Sequence, residues 1–482
     1  MGARVTDLYA TARAMLADLK AKKVSARELL GAHVARNDEI SKIINAVVTT
    51  DIPRALKDAD AIDQARTKGA PLGPLAGLPM TIKDGFDVEN MPAVAGNPAY
   101  KDRPKNCADA DLVAITRQAG AVIWGKTNVP FMLSDFQSFN PIHGTTNNPY
   151  DVTRVPGGSS GGAGAALATG VTPLEVGSDI GGSLRHPANY CGVVSLKPTW
   201  GALPQRGHVP PPPGVAVETD LNVVGPMARN VGDLKLLWDV LKKRTPSDPR
   251  AAKRGRIALW DEQKGWPLAS AVKARLAAAS EAFASAGFTV ERASPRLDID
   301  EMMNTYQDLL TNAIAVSFPQ SLRDAMAQSR EADLAAVRAG RDSTGEARYR
   351  LRVTANDAEI AAAHRRRQTH KDSLDAFFAE GWDAILLPIS PVPPFPHDHS
   401  LPLAARKLAI DGKTMNYLDM LFWIALATSL HAPALALQAG QTAEGLPVGV
   451  QLVGPWDGED RLFDFAAAVE EGLGGFRPPP GI

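Results

Sequence analysis

The chain has 482 residues, with 52 Lys plus Arg against 53 Asp plus Glu, a formal net charge of -1, and 45% apolar residues. At about 100–200 residues per domain this length holds two or three domains or one large one. The balanced charge excludes the basic footprint of a nucleic-acid binder, and the apolar content excludes a disordered chain. Cys107 and Cys191 are the only cysteines, too few for a disulfide framework and outside any zinc-binding spacing, which fits a reducing, cytoplasmic setting without a metal. The N-terminal twenty residues carry scattered charges and no continuous apolar core, so they do not read as a secretory signal. Met420 to Leu437 is the most apolar late stretch, but Thr428, Ser429, His431 and Pro433 interrupt it, and it does not read as a membrane span.

In chain order, the segment from Thr6 to Asn45 sets Leu8, Ala12, Leu16 and Leu19 at spacings of three and four, which predicts packing helices. From 72 to 201 the texture changes to short apolar runs between glycines, which predicts strands alternating with helices. The Ala- and Arg-rich region from Asp233 to Phe378 has helical periodicity, broken by strands predicted over 256–260 and 288–293. A strand over 384–388 precedes a proline-rich loop, another lies within 445–454, and a helix from Asp460 to Glu471 follows. No repeat and no polar linker divides the chain, so the expected fold class is α/β in one domain, with a two-domain division as the alternative.

Two glycine-rich segments stand out, PGGSSGGAGAALATG at 156–170 and GSDIGGSLRHPANYCG at 177–192. The first lacks both the GK[ST] ending of a P-loop and the GxGxxG order of a dinucleotide site. Its glycines and alanines also suit a tightly packed helix, a reading silent about Ser159 and Ser160. The G-x-S-x-G motif of common serine hydrolases is missing, and the nine histidines form no signature, although His186 lies three residues from Ser183. Lys83 ends the strand-like run GLPMTIKD, where Met80 and Ile82 favour burial over the usual solvated lysine.

Taken with KTNVP (126–130), NNPYDVTRVPGGSSGG (147–162) and LKPTWG (196–201), these segments resemble the amidase signature family in order and spacing, with Ser159 and Ser183 separated by 24 residues. GLPVGVQLVG (445–454) is similar to the family's late strand, whereas 240–440 matches only loosely. The resemblance implies a single domain over 1–482 with a mixed, twisted sheet covered by helices on both faces. Within it, 1–60 would hold packing helices, 72–201 the core motifs, 240–440 a variable pocket region, and 441–482 a late strand and helix.

The resemblance further implies a Ser-Ser-Lys triad of Lys83 as general base, Ser159 as bridging serine after a cis Gly158–Ser159 bond, and Ser183 as nucleophile. The chemistry is coherent, because a serine hydroxyl needs a base and lysine serves only when neutral. Burial beside hydroxyls makes it so, which requires Asp84 to point elsewhere. The backbone amides of Ile180, Gly181, Gly182 and Ser183 form the expected oxyanion hole. Asp179 and Arg185 would shape that loop as a pair, Ser160 would support the relay, and Cys191 would be a packing residue.

For the substrate, the resemblance points to Phe131 to Phe136, with Leu133 and Phe136 as contacts, and to a variable wall carrying Met302, Met303, Tyr306, Leu309, Leu310 and Phe318. Met and aromatic residues at helical spacing equally suit a core. An apolar pocket implies an aryl or alkyl amide or a related carbamate. His186 and the prolines Pro210 to Pro213 depart from the commonest family forms. No cofactor, nucleic acid or membrane is expected as a partner, and a homodimer stays open. The competing readings are the A subunit of a glutamine-dependent tRNA amidotransferase and a binding module whose triad has decayed.

Overall fold

Strands form where β-branched and apolar residues run between glycines and prolines. The computed structural model describes residues 7–209, 218–342 and 345–482. Three strands, β1 (Val47–Thr50), β2 (Pro79–Lys83) and β3 (Val122–Thr127), make a small sheet in the order β1-β3-β2. A minimal hairpin of β4 (Phe139–Asn140) and β5 (Gly144–Thr145) follows. Next come β6 (Leu174–Asp179), β7 (Val194–Lys197), β8 (Val223–Ala228), β9 (Arg256–Leu259), β10 (Thr289–Arg292) and β11 (Ala384–Pro388). β12 (Lys407–Ile410) and β13 (Lys413–Asn416) pair with each other, and β14 (Ala434–Gln441) and β15 (Pro447–Val453) end the series.

The main sheet has eight strands in the order β10-β9-β11-β15-β14-β7-β8-β6. β9 runs parallel to β10 and β11, and every junction from β11 to β6 is antiparallel, so the sheet is mixed. Helices cover both faces. Gln451 of β15 reaches Arg185 of the helix Arg185–Cys191, whereas Gly454, on the opposite face, lies against Leu462 of the helix Glu459–Val469. One hydrophobic cluster joins both sheets and their helices, which settles the single α/β domain over the two-domain division. No helix among the described residues is long and apolar enough to cross a membrane.

The predicted strands at 256–260, 288–293, 384–388 and 445–454 form with small trims, and the late helix is Glu459–Val469. The segment from Thr6 to Asn45 holds two helices, Ala12–Lys20 and Ala26–Ile44, because Ser25 and Glu28 build a capping box that starts the second. Thr6 itself lies outside the described residues, as do Pro210 to Pro213. Among the described residues, five strands were absent from the sequence expectations: β1, β8, β12, β13 and β14. The stretch from Met420 to Leu437 divides into the helix Phe422–Ser429 and β14, broken where His431 takes φ 63° ahead of Pro433. β2 packs beside β6, so the end of the small sheet meets the edge strand of the large one, and Lys83 sits at that seam.

Candidate active site

Lys83 is the last residue of β2 and is fully buried. Its Nζ lies 2.8 Å from Ser159 Oγ, 2.9 Å from Ser178 Oγ and 3.4 Å from the Ser178 carbonyl oxygen. Burial pulls its ammonium down to about 7, against the opposing pull of the Asp179 and Glu175 charges. Asp84 points elsewhere: Lys126 Nζ approaches its Oδ1 to 2.6 Å, and the Val94 N–H donates to the same oxygen at 3.2 Å. Lys83 thus has hydroxyl partners, as the sequence reading requires.

The loop bearing Ser159 passes so close to its neighbours that only glycine fits before it. A Cβ on Gly158 would stand 2.3 Å from the Asp135 carbonyl oxygen. The Gly158–Ser159 bond is cis, as the resemblance implied. The following helix, Gly161–Ala168, is entirely buried, and its Gly164 lies against Cys191 Sγ. Burial pushes the Cys191 thiol well above its ordinary range, so it packs rather than ionises. The Ser160 N–H donates to the Ser183 carbonyl at 3.2 Å, and its hydroxyl to the Ser178 carbonyl at 3.5 Å. Ser160 therefore holds the backbone of Ser183 instead of extending the chain of hydroxyls.

The loop after β6 turns at Gly182, whose φ of 92° suits glycine and whose missing Cβ admits the buried His186 ring. Asp179 organises this loop by accepting the Gly182 N–H at 2.9 Å and the Leu184 N–H at 3.1 Å. Arg185 clamps Asp179 through Nε and Nη2 at 3.0 and 2.9 Å, and both side chains are fully buried. Despite the burial that raises it, the Arg185 charge holds the Asp179 carboxyl well below the usual range. This corrects the oxyanion expectation for Gly182, whose N–H is already engaged. Ile180, Gly181 and Ser183 remain, and these three line the cavity whereas Gly182 does not.

That cavity measures about 410 Å³, and Ser159, Ser178 and Ser183 are among its lining residues. Leu133 and Phe136 line it, as do Leu309, Leu310, Ile314 and Val316 from the variable wall. Met302, Met303 and Tyr306 are buried in the core instead and are absent from its lining. Tyr306 acts on the loop from behind, donating its hydroxyl to the Ile180 carbonyl at 2.9 Å. His186 is likewise no part of the cavity lining. Its ring meets Phe136 edge-on at 5.2 Å, and burial pulls it down to about 3. No lysine or arginine is among the described residues lining the cavity.

Sequence reasoning missed Ser178, the second hydroxyl on Lys83, although it stands beside Asp179 in a segment already singled out. It also missed Glu175, a buried carboxyl that burial pushes up to about 8, next to the Thr81 and Thr127 hydroxyls. Glu175 had no motif to mark it.

The amidase family profile matches residues 28–463. An indoleacetamide hydrolase of Bradyrhizobium diazoefficiens is 32% identical over 473 residues, covering 95% of this chain and 85% of its own. The A subunit of the glutamyl-tRNA(Gln) amidotransferase of Salinispora tropica is 32% identical over 515 residues, covering 98% of this chain and 100% of its own. Among solved structures, a chain from a vestigial protein complex tied to the origins of an s-triazine catabolic enzyme is 26% identical, with TM-score 0.78, covering 97% of this chain and 100% of its own. A bacterial aryl acylamidase of the amidase signature family shares the fold at 23% identity, with TM-score 0.79 and 96% of each chain covered. With a profile spanning most of its length and relatives at 32% identity, the chain belongs to the amidase signature family, whose members are hydrolases of amide carbon–nitrogen bonds.

Proposed function

We propose that the protein hydrolyses a small, uncharged aryl or alkyl amide, or a related carbamate, through a triad of Lys83, Ser159 and Ser183. Neutral Lys83 takes the Ser159 proton as Ser159 takes that of Ser183, and Ser183 Oγ attacks the amide carbonyl. The backbone N–H groups of Ile180, Gly181 and Ser183 receive the developing oxyanion, each donor of this kind being worth about 2.7–4 kcal/mol. The same relay returns the proton to the departing nitrogen, because an amine anion is a poor leaving group. Water then cleaves the acyl-enzyme by the reverse use of the relay. Ser160, Asp179 and Arg185 hold the two loops in place.

The observation that carries this reading is the buried Lys83 amine, set against two hydroxyls while Asp84 is turned to Lys126. The apolar wall of Leu133, Phe136, Leu309 and Leu310 supports a hydrocarbon acyl or aryl group, and the indoleacetamide hydrolase relative is named for such an amide. The amidotransferase reading has its own support in equally similar relatives. Glutamine, however, brings a carboxylate, and the described lining offers no lysine or arginine to meet it. A cytoplasmic setting accords with the scarcity of cysteines.

The test is hydrolysis of phenylacetamide by the purified chain. Ser183→Ala should abolish it, and Lys83→Ala should lower kcat about 10²–10⁴-fold. Activity that appears only with glutamine and a copurifying protein would select the amidotransferase instead.

A further inference from the structure

His208 lies where the chain returns past the end of β2, and the backbone fixes it there. Its N–H donates to the Gln205 carbonyl at 3.0 Å, and the next residue, Val209, donates to the Gly85 carbonyl at 2.8 Å. The ring packs on Phe86 with centroids 4.8 Å apart, and Nε2 is 3.3 Å from where a Cβ on Gly85 would stand. Leu133 Cδ1 flanks the same point at 3.1 Å. His208 is 8% exposed and lines the cavity that holds Ser183.

Its Nε2 is buried and has no hydrogen-bond partner, the one such side-chain atom among the described cavity-lining residues. Three other polar groups of the lining are paired. Asp135 is paired with Arg406, Asp220 with Arg367 and His431, and Asn222 with Gln205. Unpaired buried polar atoms are rare in native proteins and mark a place where a partner is missing. Burial, with the nearby Lys83 charge, pulls the imidazole down to about 3. The ring is therefore neutral, with one nitrogen donating and the other accepting, and it complements a neutral polar group better than an ion.

We propose that His208 is a polar subsite in the cavity wall beside Leu133, which takes a neutral hydrogen-bonding substituent of the substrate and selects amides bearing one over their hydrocarbon counterparts. The proposal rests on the amide-hydrolase reading for its choice of ligand and names the substrate class more narrowly. It makes His208 a specificity residue with no part in the proton relay.

The experiment compares kcat/KM for phenylacetamide, mandelamide and the three ring-hydroxylated phenylacetamides. The wild-type enzyme should favour at least one hydroxylated probe over phenylacetamide by about tenfold, as expected when a site built to pair a polar group meets an analogue lacking it. His208→Phe and His208→Leu should bring that ratio close to one in whichever variant melts cooperatively, and His208→Asn should restore part of it. The same probes titrated calorimetrically into Ser183→Ala, with and without His208→Phe, read the subsite without turnover. If none of the amides is hydrolysed, the hydrolase reading fails and these titrations alone decide the subsite. No preference for any hydroxylated probe in the wild type, or a preference that survives loss of the imidazole, overturns the proposal.

Discussion

In the proposed reaction, Lys83 carries the chemistry because of what surrounds it. Hydroxyls and a carbonyl bond its Nζ without pairing it, while burial brings its titration to about 7. The active form is the neutral amine, so kcat/KM should rise as pH passes upward through about 7. Glu175 couples to Lys83 only when ionised, and burial keeps its carboxyl mostly protonated up to about 8. Glu175→Gln should therefore leave the acid limb of the pH profile near 7 in place, and a clearly lowered midpoint would mean that Glu175 is charged there. The stability of the same variant has a definite sign. Burial raises the Glu175 carboxyl from 4.5 to about 8, so between those values the unfolded chain gives up a proton that the folded chain keeps. This group's contribution to stability is present below 4.5 and lost as pH rises to 8. Glu175→Gln should then gain stability on the wild type more at about pH 8 than at about pH 5, as read by urea unfolding. The motifs that carry Lys83, Ser159 and Ser183 travel together in the sequence, which is why these residues stand out as candidates. Glu175 and Ser178 do not, because their nearness to Lys83 arises only where β2 meets β6.

At the scale of elements, the site depends on two loops that rigid neighbours hold. Arg185 clamps Asp179, which in turn fixes the N–H groups of Gly182 and Leu184, and Arg185 also reaches the Ile424 carbonyl and Gln451. Arg185→Met leaves a buried carboxylate without its cation, and breaking such a pair costs about 3–5 kcal/mol. Denaturant unfolding should show a loss of that size, with kcat falling further than KM rises because the oxyanion loop is what moves. A loss under about 1 kcal/mol would mean that the clamp is dispensable. The Asp179–Arg185 pair was legible from its place around the loop, whereas the engagement of the Gly182 N–H was not, since an amide's partner depends on the turn's conformation. β14 was hidden for another reason. Its apolar start, Ala434 to Leu437, is buried throughout and has no alternation to separate strand from helix.

For the whole molecule, the family motifs foretold one α/β domain with a mixed sheet, and the pairing of eight strands around one core bears this out. The motifs could not show that the site would sit at a seam between two sheets, or which residues of the variable region would face inward. Leu309 and Leu310 do so, and Met302 and Met303 do not, although all four lie on the helix Ile299–Ala315. The resulting cavity is apolar without a lysine or arginine among its described lining residues. Phenylacetamide should accordingly exceed free glutamine in kcat/KM by at least about a hundredfold, roughly the worth of one unmet carboxylate. Comparable values for the two would favour the amidotransferase reading.

The most direct test is the rate at which a fluorophosphonate phosphonylates the enzyme, with loss of fluoride, as a function of pH, with the adduct located by mass spectrometry. A single adduct should form on Ser183, faster as pH rises through about 7, with a flat, much slower reaction in Lys83→Ala. An adduct on another residue, or a rate indifferent to both pH and the loss of Lys83, would contradict the proposed triad.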